Sequence, residues 1–269
     1  MHCTVIGGAG FVGRRLVDTL RRAGRNVYVP QRGDPELLAR DLGKVYYCAG
    51  LTADYAARPF DTVQAHVGLL ADVLRAGHFA HLVYLSSTRL YDSGALAAGD
   101  EAEPLTLDPI NPRALYDLSK ALGENLCLTQ APGRAAVARL SCVFDWDDDA
   151  PGFLSEWLQR AARERVFRLE TDAGFVRDYI HLNDVVAALV ALCETPATGI
   201  FNVASGANVS NAELAAVFAR HGWSVELARA SAPQSAAQCS VKRLHALNVV
   251  PRDVRDVVDA RLEEIQRWN

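Results

Sequence analysis

A chain of 269 residues, half of them hydrophobic and 22% charged, has enough apolar material for one large domain or two unequal ones. Its net charge of −4, with basic residues scattered rather than striped, gives no electrostatic reason to expect a nucleic-acid partner. No apolar run reaches the length of a bilayer-spanning helix, so no membrane partner is expected.

Met1 leads straight into Cys3-Thr4-Val5-Ile6, and no signal peptide is expected ahead of it. Residues 2–6 read as a short buried strand. The turn Gly7-Gly8-Ala9-Gly10-Phe11-Val12-Gly13 follows, then an amphipathic helix over 11–23 stopped by Gly24, then a strand over 26–30. This is a βαβ unit with a glycine turn where a pyrophosphate is cradled: glycine lets the backbone approach closely, and the helix points its positive end at the anion. Asp34-Pro35-Glu36 predicts a helix start, with Gly43 as its stop. Residues 44–49 are the next strand. The interval between these strands is too short for a further strand and crossover helix, so one outer strand of the usual sheet is expected to be missing.

Residues 62–76 predict a helix with Val63, Val67, Leu70, Val73 and Leu74 on one face, and 81–85 a strand ending at Ser86-Ser87. Residues 92–112, rich in Gly, Ala, Pro and acids, read as a loop over the site. Residues 116–128 are helical, which puts Tyr116 and Lys120 on one face. A strand begins at 135–139. After the polar break Asp145-Trp146-Asp147-Asp148-Asp149 come helices over 153–162, 183–193, 211–220 and 254–266 and a strand over 176–181.

Alternating strands and helices give the fold class: α/β, a Rossmann-type doubly wound parallel sheet with a smaller C-terminal α+β substrate domain. The expected division is 1–145 for the dinucleotide, with about 178–196 crossing back, and 146–177 with 197–269 for the substrate. The six cysteines, Cys3, Cys48, Cys127, Cys142, Cys193 and Cys239, lack metal-ligand spacing and read as reduced thiols of a cytoplasmic protein. No metal site is expected.

Reducing a ketone requires a proton at the oxygen that receives charge. A tyrosine titrating near 10 exchanges protons poorly at neutral pH unless a cation favours its phenolate. Lys120, one turn from Tyr116, has that position, and the Ser87 hydroxyl is placed to polarise a carbonyl. At the end of the second strand an acid would bond an NAD ribose. Gln31-Arg32 stands there instead. Arg32 suits a 2′-phosphate, which favours NADP, while Asp34 reaching back to the ribose keeps NAD open.

These segments resemble the extended short-chain dehydrogenases/reductases, the NAD(P)-dependent nucleotide-sugar epimerases, dehydratases and ketoreductases, over nearly the whole chain. Gly7, Gly10 and Gly13 fit the G-x-x-G-x-x-G turn, with Phe11 and Val12 inside it. Leu85-Ser86-Ser87-Thr88-Arg89-Leu90-Tyr91 is similar to S-S-x-x-V-Y, Tyr116 to Lys120 to Y-G-x-S-K, and Arg177-Asp178-Tyr179-Ile180-His181 to R-D-Y-I-H. Phe201-Asn202-Val203-Ala204 is similar to Y-N-[LV]-[GA]. The resemblance implies that Ser87, Tyr116 and Lys120 are catalytic. It implies that Ala49, Gly50, Ser86, Tyr116 and Lys120 lie on the cofactor, and that Ser87, Thr88 and Arg177 meet the substrate, Arg177 at a diphosphate. It also implies a homodimer.

Departures accompany it. Thr88-Arg89 replaces the Asp-Glu pair of the dehydratases, Cys142 and His66 each stand where an asparagine is common, and Phe144-Asp145 replaces Tyr-Gly. His66 is expected to be a surface histidine. The expected activity is redox chemistry on a nucleotide-activated sugar, as epimerase or keto-sugar reductase. NADPH-dependent reduction of a non-sugar ketone, and a non-catalytic NADP-binding scaffold, are the alternatives.

Overall fold

The computed structural model describes residues 2–92, 98–111, 113–232 and 234–268. In chain order the elements are β1 His2–Ile6, α1 Phe11–Arg22, β2 Asn26–Tyr28, a 3₁₀ turn Pro35–Leu38, β3 Lys44–Tyr47, α2 Pro59–Val63, a π turn Gln64–Gly68, α3 Leu69–Ala76 and β4 His81–Ser87. A 3₁₀ turn Thr88–Tyr91 follows, then β5 Ala98–Gly99, α4 Ala114–Gln130, β6 Ala135–Leu140, β7 Cys142–Phe144, α5 Phe153–Ala161, β8 Val166–Asp172 and β9 Val176–His181. The chain closes with α6 Leu182–Glu194, β10 Gly199–Val203, β11 Asn208–Ser210, α7 Asn211–Arg220, β12 Ser224–Arg229, β13 Gln238–Cys239, α8 Lys242–His245 and α9 Val254–Trp268.

Six strands form one parallel sheet in the order β10-β6-β4-β3-β1-β2. The sheet ends at β2, as the short interval after it requires. That interval holds one 3₁₀ turn rather than a helix running to Gly43. Asp34 caps it, accepting from the Glu36 N–H at 3.0 Å. Strand order reverses between β1 and β3, which opens a crevice at their carboxyl ends.

Two apolar clusters cover the sheet's faces. Leu16, Val17, Leu20, Val185, Leu189 and Leu192 bring α1 and α6 onto one. Leu70, Val73 and Cys127 bring α3 and α4 onto the other. The doubly wound fold is thus observed, with α6 packed on the large sheet and β9 in a separate three-stranded sheet, β11-β9-β7. Residues 199–203, expected beyond that crossing, are the large sheet's outer strand.

A second core, centred on Trp157, Phe218, Trp223, Val258 and Leu262, joins α5, α7 and α9 to β8 and β9. The pairing of β8 with β12 was not anticipated. Two salt bridges, Arg15–Asp145 at 2.6 Å and Arg14–Asp149 at 2.6 Å, hold the acidic segment after β7 against α1. Among the described residues no helix is long and apolar enough to cross a membrane, and no group of three His, Cys, Asp or Glu is arranged to hold a metal. All six cysteines are free.

Candidate active site

A cleft of about 670 Å³ lies over the carboxyl ends of β1, β3 and β4. The glycine turn forms its floor. Gly7 has φ +82°, and a Cβ there would come within 2.6 Å of the Ala49 nitrogen; one on Gly13 would come within 2.3 Å of the Gly7 carbonyl oxygen. The turn therefore closes only on glycines, which draws α1 tight against the strand ends. At Gly10 the nearest atom to such a Cβ is 3.4 Å away, and Gly10, Phe11, Val12 and Gly13 face the cleft. A cradle with this shape, backed by a helix N-terminus, fits a dinucleotide pyrophosphate. Arg32 is exposed beyond β2. Asp34 accepts from the Tyr28 hydroxyl at 2.7 Å through one oxygen and from the Glu36 N–H at 3.0 Å through the other.

Ser87 ends β4, and its Oγ accepts from the Arg89 N–H at 3.2 Å, capping the 3₁₀ turn. Tyr116 enters on the first turn of α4 and is 5% exposed. Burial pushes its phenol above the ordinary value; contacts with the Ser87 hydroxyl and the Arg89 charge pull it back. Lys120 is also buried. Its ammonium donates to the Leu85 carbonyl at 2.8 Å and sits 5.9 Å from the Tyr116 ring centroid. Burial lowers the lysine to about 8, opposed by Glu124 one turn on. The three residues expected to be catalytic are therefore brought together. The guanidinium of Arg89, 5.0 Å from the Tyr116 ring centroid, is a second cation beside the ring and also favours the phenolate.

Ser86 lines the cleft as well. Its hydroxyl turns under the strand and donates to Glu124 at 2.5 Å, so its side chain is committed to the core. Glu124 in turn takes two bonds from Arg139, at 2.9 and 2.6 Å. Arg139 donates to the Tyr91 hydroxyl at 2.8 Å, which donates to Asn202 at 2.9 Å. This buried network underlies the whole catalytic strand.

Thr88 and Gly50 line the cleft, whereas Ala49 packs behind it beneath Gly7. Arg177 lines it too, stacked on Phe175 at 4.2 Å and 4.0 Å from Asp92. Neither Asp178 nor Asp184 pairs with it. Asp178 accepts from the Ser205 and Gly206 N–H groups, and Asp184 pairs with Arg252. Cys142 is exposed on the cleft wall.

His66, expected at the surface, is fully buried. The π turn carries it inward. Two of that turn's carbonyls are met by tyrosines: Ala65 by Tyr47 at 2.7 Å and His66 by Tyr84 at 3.2 Å. Leu51 N–H can only donate, so His66 Nε2 accepts it (3.3 Å), and Nδ1–H donates to Ser119 Oγ (2.8 Å). Ser119 then donates to the Tyr116 carbonyl at 2.9 Å. The imidazole thus ties the loop after Gly50 to the first turn of α4, as a neutral ring. Sequence periodicity treated it as a helix-face residue, and no pattern in it signals a π turn.

Burial, then the Lys120 charge, lowers His66 to about 3. Between pH 6.5 and 3 the unfolded chain therefore binds a proton that the folded one does not, and stability falls as pH falls through that window. At pH 5.5 the loss is about 1.4 kcal/mol relative to pH 7.5. Urea melts at both pH values check this: the His66→Asn variant is expected to lose less by that amount, and equal slopes would refute it.

Residues 3–204 match the model of the NAD dependent epimerase/dehydratase family. UDP-glucuronic acid decarboxylase 1 of Arabidopsis thaliana is 25% identical over 251 residues, covering 81% of this chain and 57% of that protein. UDP-glucuronic acid decarboxylase 6 of Arabidopsis thaliana is 24% identical over 250 residues, covering 80% of this chain and 72% of that protein. The chain spans little more than half the length of the first of these. Among solved structures, MoeE5 in complex with UDP-glucose and NAD superimposes with a TM-score of 0.79 at 21% identity, covering 100% of this chain and 99% of that one. RMD from Pseudomonas aeruginosa, complexed with NADPH, superimposes with a TM-score of 0.74 at 23% identity, covering 100% of both chains. At these identities the structures establish the fold.

Proposed function

The chain belongs to the NAD dependent epimerase/dehydratase family, and we propose that within it the protein is an NAD(P)-dependent oxidoreductase acting on a nucleotide-activated sugar, as an epimerase or keto-sugar reductase. The observation that carries this reading is the convergence of Ser87 and Tyr116 above the glycine cradle, with Arg177 on the same cleft. Relatives named as UDP-glucuronic acid decarboxylases and a fold neighbour holding UDP-glucose with NAD support it.

Gly7, Gly10 and Gly13 would hold the pyrophosphate, and Lys120 and Gly50 would lie along the nicotinamide ribose. The nicotinamide, when bound, supplies or accepts a hydride. The remaining chemistry belongs to the chain. The Tyr116 phenolate takes the proton of a sugar hydroxyl as it becomes a carbonyl, and returns it on reduction. Ser87 Oγ holds the reacting oxygen, and the Arg89 charge steadies the phenolate. Tyr116 is buried and Ser87 and Arg89 are half-buried, which makes their contacts stronger than they would be in open water. Because Arg89 stands where dehydratases carry an acid, water elimination is not part of this proposal. Turnover assays with nucleotide sugars against free ketones test the reading. Activity confined to free ketones would overturn it in favour of a non-sugar ketoreductase, the reading that the exposed Cys142 thiol, in place of an amide, would support.

For the cofactor we propose NADP over NAD. Support comes from Arg32, exposed where the adenine ribose would lie, and from Asp34, whose oxygens are already engaged. Arg32→Ala is expected to weaken NADPH binding by about tenfold or more and to leave NADH unchanged, as loss of a charge-assisted bond to phosphate requires. Fluorescence titration with both nucleotides measures it; equal losses would reverse the preference.

A further inference from the structure

The loop after β3 runs beside Tyr116 and is held there at both ends. At Gly50 a Cβ would come within 3.0 Å of His66 Nε2 and 3.3 Å of the Lys120 ammonium, so the backbone is pressed against both. The next residue, Leu51, donates its N–H to that same His66 nitrogen at 3.3 Å. At the far end the Tyr55 ring packs 5.4 Å from that of Tyr116, and the Tyr55 carbonyl accepts from the Thr62 hydroxyl at 3.2 Å. Thr52 lies between these anchors. It lines the cleft, and its hydroxyl meets the Tyr116 phenol.

Two hydroxyls therefore meet one phenol oxygen, Ser87 from the end of β4 and Thr52 from the loop after β3. They are not equivalent. A serine or threonine hydroxyl has one hydrogen to give. With a sugar bound, Ser87 gives that hydrogen to the reacting oxygen. Arg89 acts on the phenol by charge from beside the ring. Its Nη2 donates to the Tyr55 hydroxyl and to the Arg113 carbonyl, each at 3.1 Å, and its Nε lies 3.2 Å from Asp117. Thr52 is then the hydroxyl left to donate to the phenolate when its charge is greatest.

We propose that Thr52 is a further catalytic residue, whose hydroxyl donates to the Tyr116 phenolate while Ser87 holds the sugar oxygen. A hydrogen bond to a charged acceptor is stronger than one to a neutral acceptor, so this contact favours the phenolate over the phenol. The charged and titratable groups facing Tyr116 are Arg89 from the 3₁₀ turn, His66 from the π turn, Tyr84 from β4, Tyr55 from the loop, and Asp117 and Lys120 from its own helix. Thr52→Val changes none of them. The proposal rests on the proton role given to Tyr116 in the nucleotide-sugar reading above.

Alkaline titration followed by phenolate absorbance, with the Tyr116→Phe trace subtracted, reads the contact without any substrate. In Thr52→Val the Tyr116 phenolate is expected to form at a pH higher by about one, a roughly tenfold loss of acidity, and in Thr52→Ser at the wild-type pH. In turnover assays with UDP-glucose and UDP-glucuronate as probes, Thr52→Val should lower kcat about tenfold while KM and NADPH affinity stay within about twofold, and Thr52→Ser should recover most of the loss. An unmoved titration would overturn the proposal. So would a Thr52→Ser variant as impaired as Thr52→Val, or a moved titration with undiminished kcat. If the wild type turns over neither probe while the titration moves as expected, the nucleotide-sugar reading falls and the hold of Thr52 on the phenolate stands.

Discussion

Replacing Tyr116 with phenylalanine is expected to lower turnover by about a hundred- to ten-thousandfold, the usual worth of a positioned acid–base group. Affinity for the dinucleotide should stay nearly unchanged. The ring stays where it is, since its packing against Tyr55 at 5.4 Å, His66 at 5.4 Å and Arg89 at 5.0 Å does not involve the hydroxyl. Only the proton carrier is lost. Steady-state assays alongside cofactor titration distinguish the cases: undiminished turnover would remove Tyr116 from the chemistry. A joint loss of turnover and cofactor binding would point to collapse of the cleft.

Arg139→Met is expected to cost about 3–5 kcal/mol of stability, because it strands the Glu124 carboxylate in the core without its counter-ion. Both side chains are almost fully buried, at 3% and 4% exposure, and joined at 2.6 Å. Glu124→Leu combined with Arg139→Met should recover much of that loss, since two apolar chains of similar bulk leave no unpaired charge. Denaturant melts of the two variants measure it. A double variant as unstable as the single would mean that the charge pair is needed for packing itself. The single change should also disturb catalysis: Ser86, one residue before Ser87, hangs from the same carboxylate, and Tyr91 and Asn202 carry the network to β5 at Gly99.

Much of this was legible in the chain because it rests on local rules. The glycine turn announced itself through residue type, since no side chain fits at Gly7 or Gly13. The strands of the large sheet read as apolar runs because they are buried on both faces. Tyr116 and Lys120 were found by helical spacing. What stayed hidden depends on contacts distant in sequence. Ser86 and Ser87 are identical in type, and only the position of Glu124 under the sheet tells which hydroxyl is spent. Arg89 showed itself as a departure from the family motif, but its proximity to the Tyr116 ring required the fold. The β8–β12 pair sits on the second core with exposed alternate residues, and its strand signal was too weak to stand out from the surrounding polar sequence.

The π turn over Gln64–Gly68 has a consequence for how this region tolerates change. One surplus residue in a helix turns everything beyond it by about 100°. Val63, which regular spacing assigns to the same side as Leu70 and Val73, is accordingly 41% exposed while those two are fully buried. Deleting a single residue there would restore an unbroken spiral and swing either His66 or the leucine–valine stripe off its mark. Point substitutions along this stretch are therefore milder events than any shift in its length, and related chains that differ in length here should differ in how they steady the first turn of the catalytic helix.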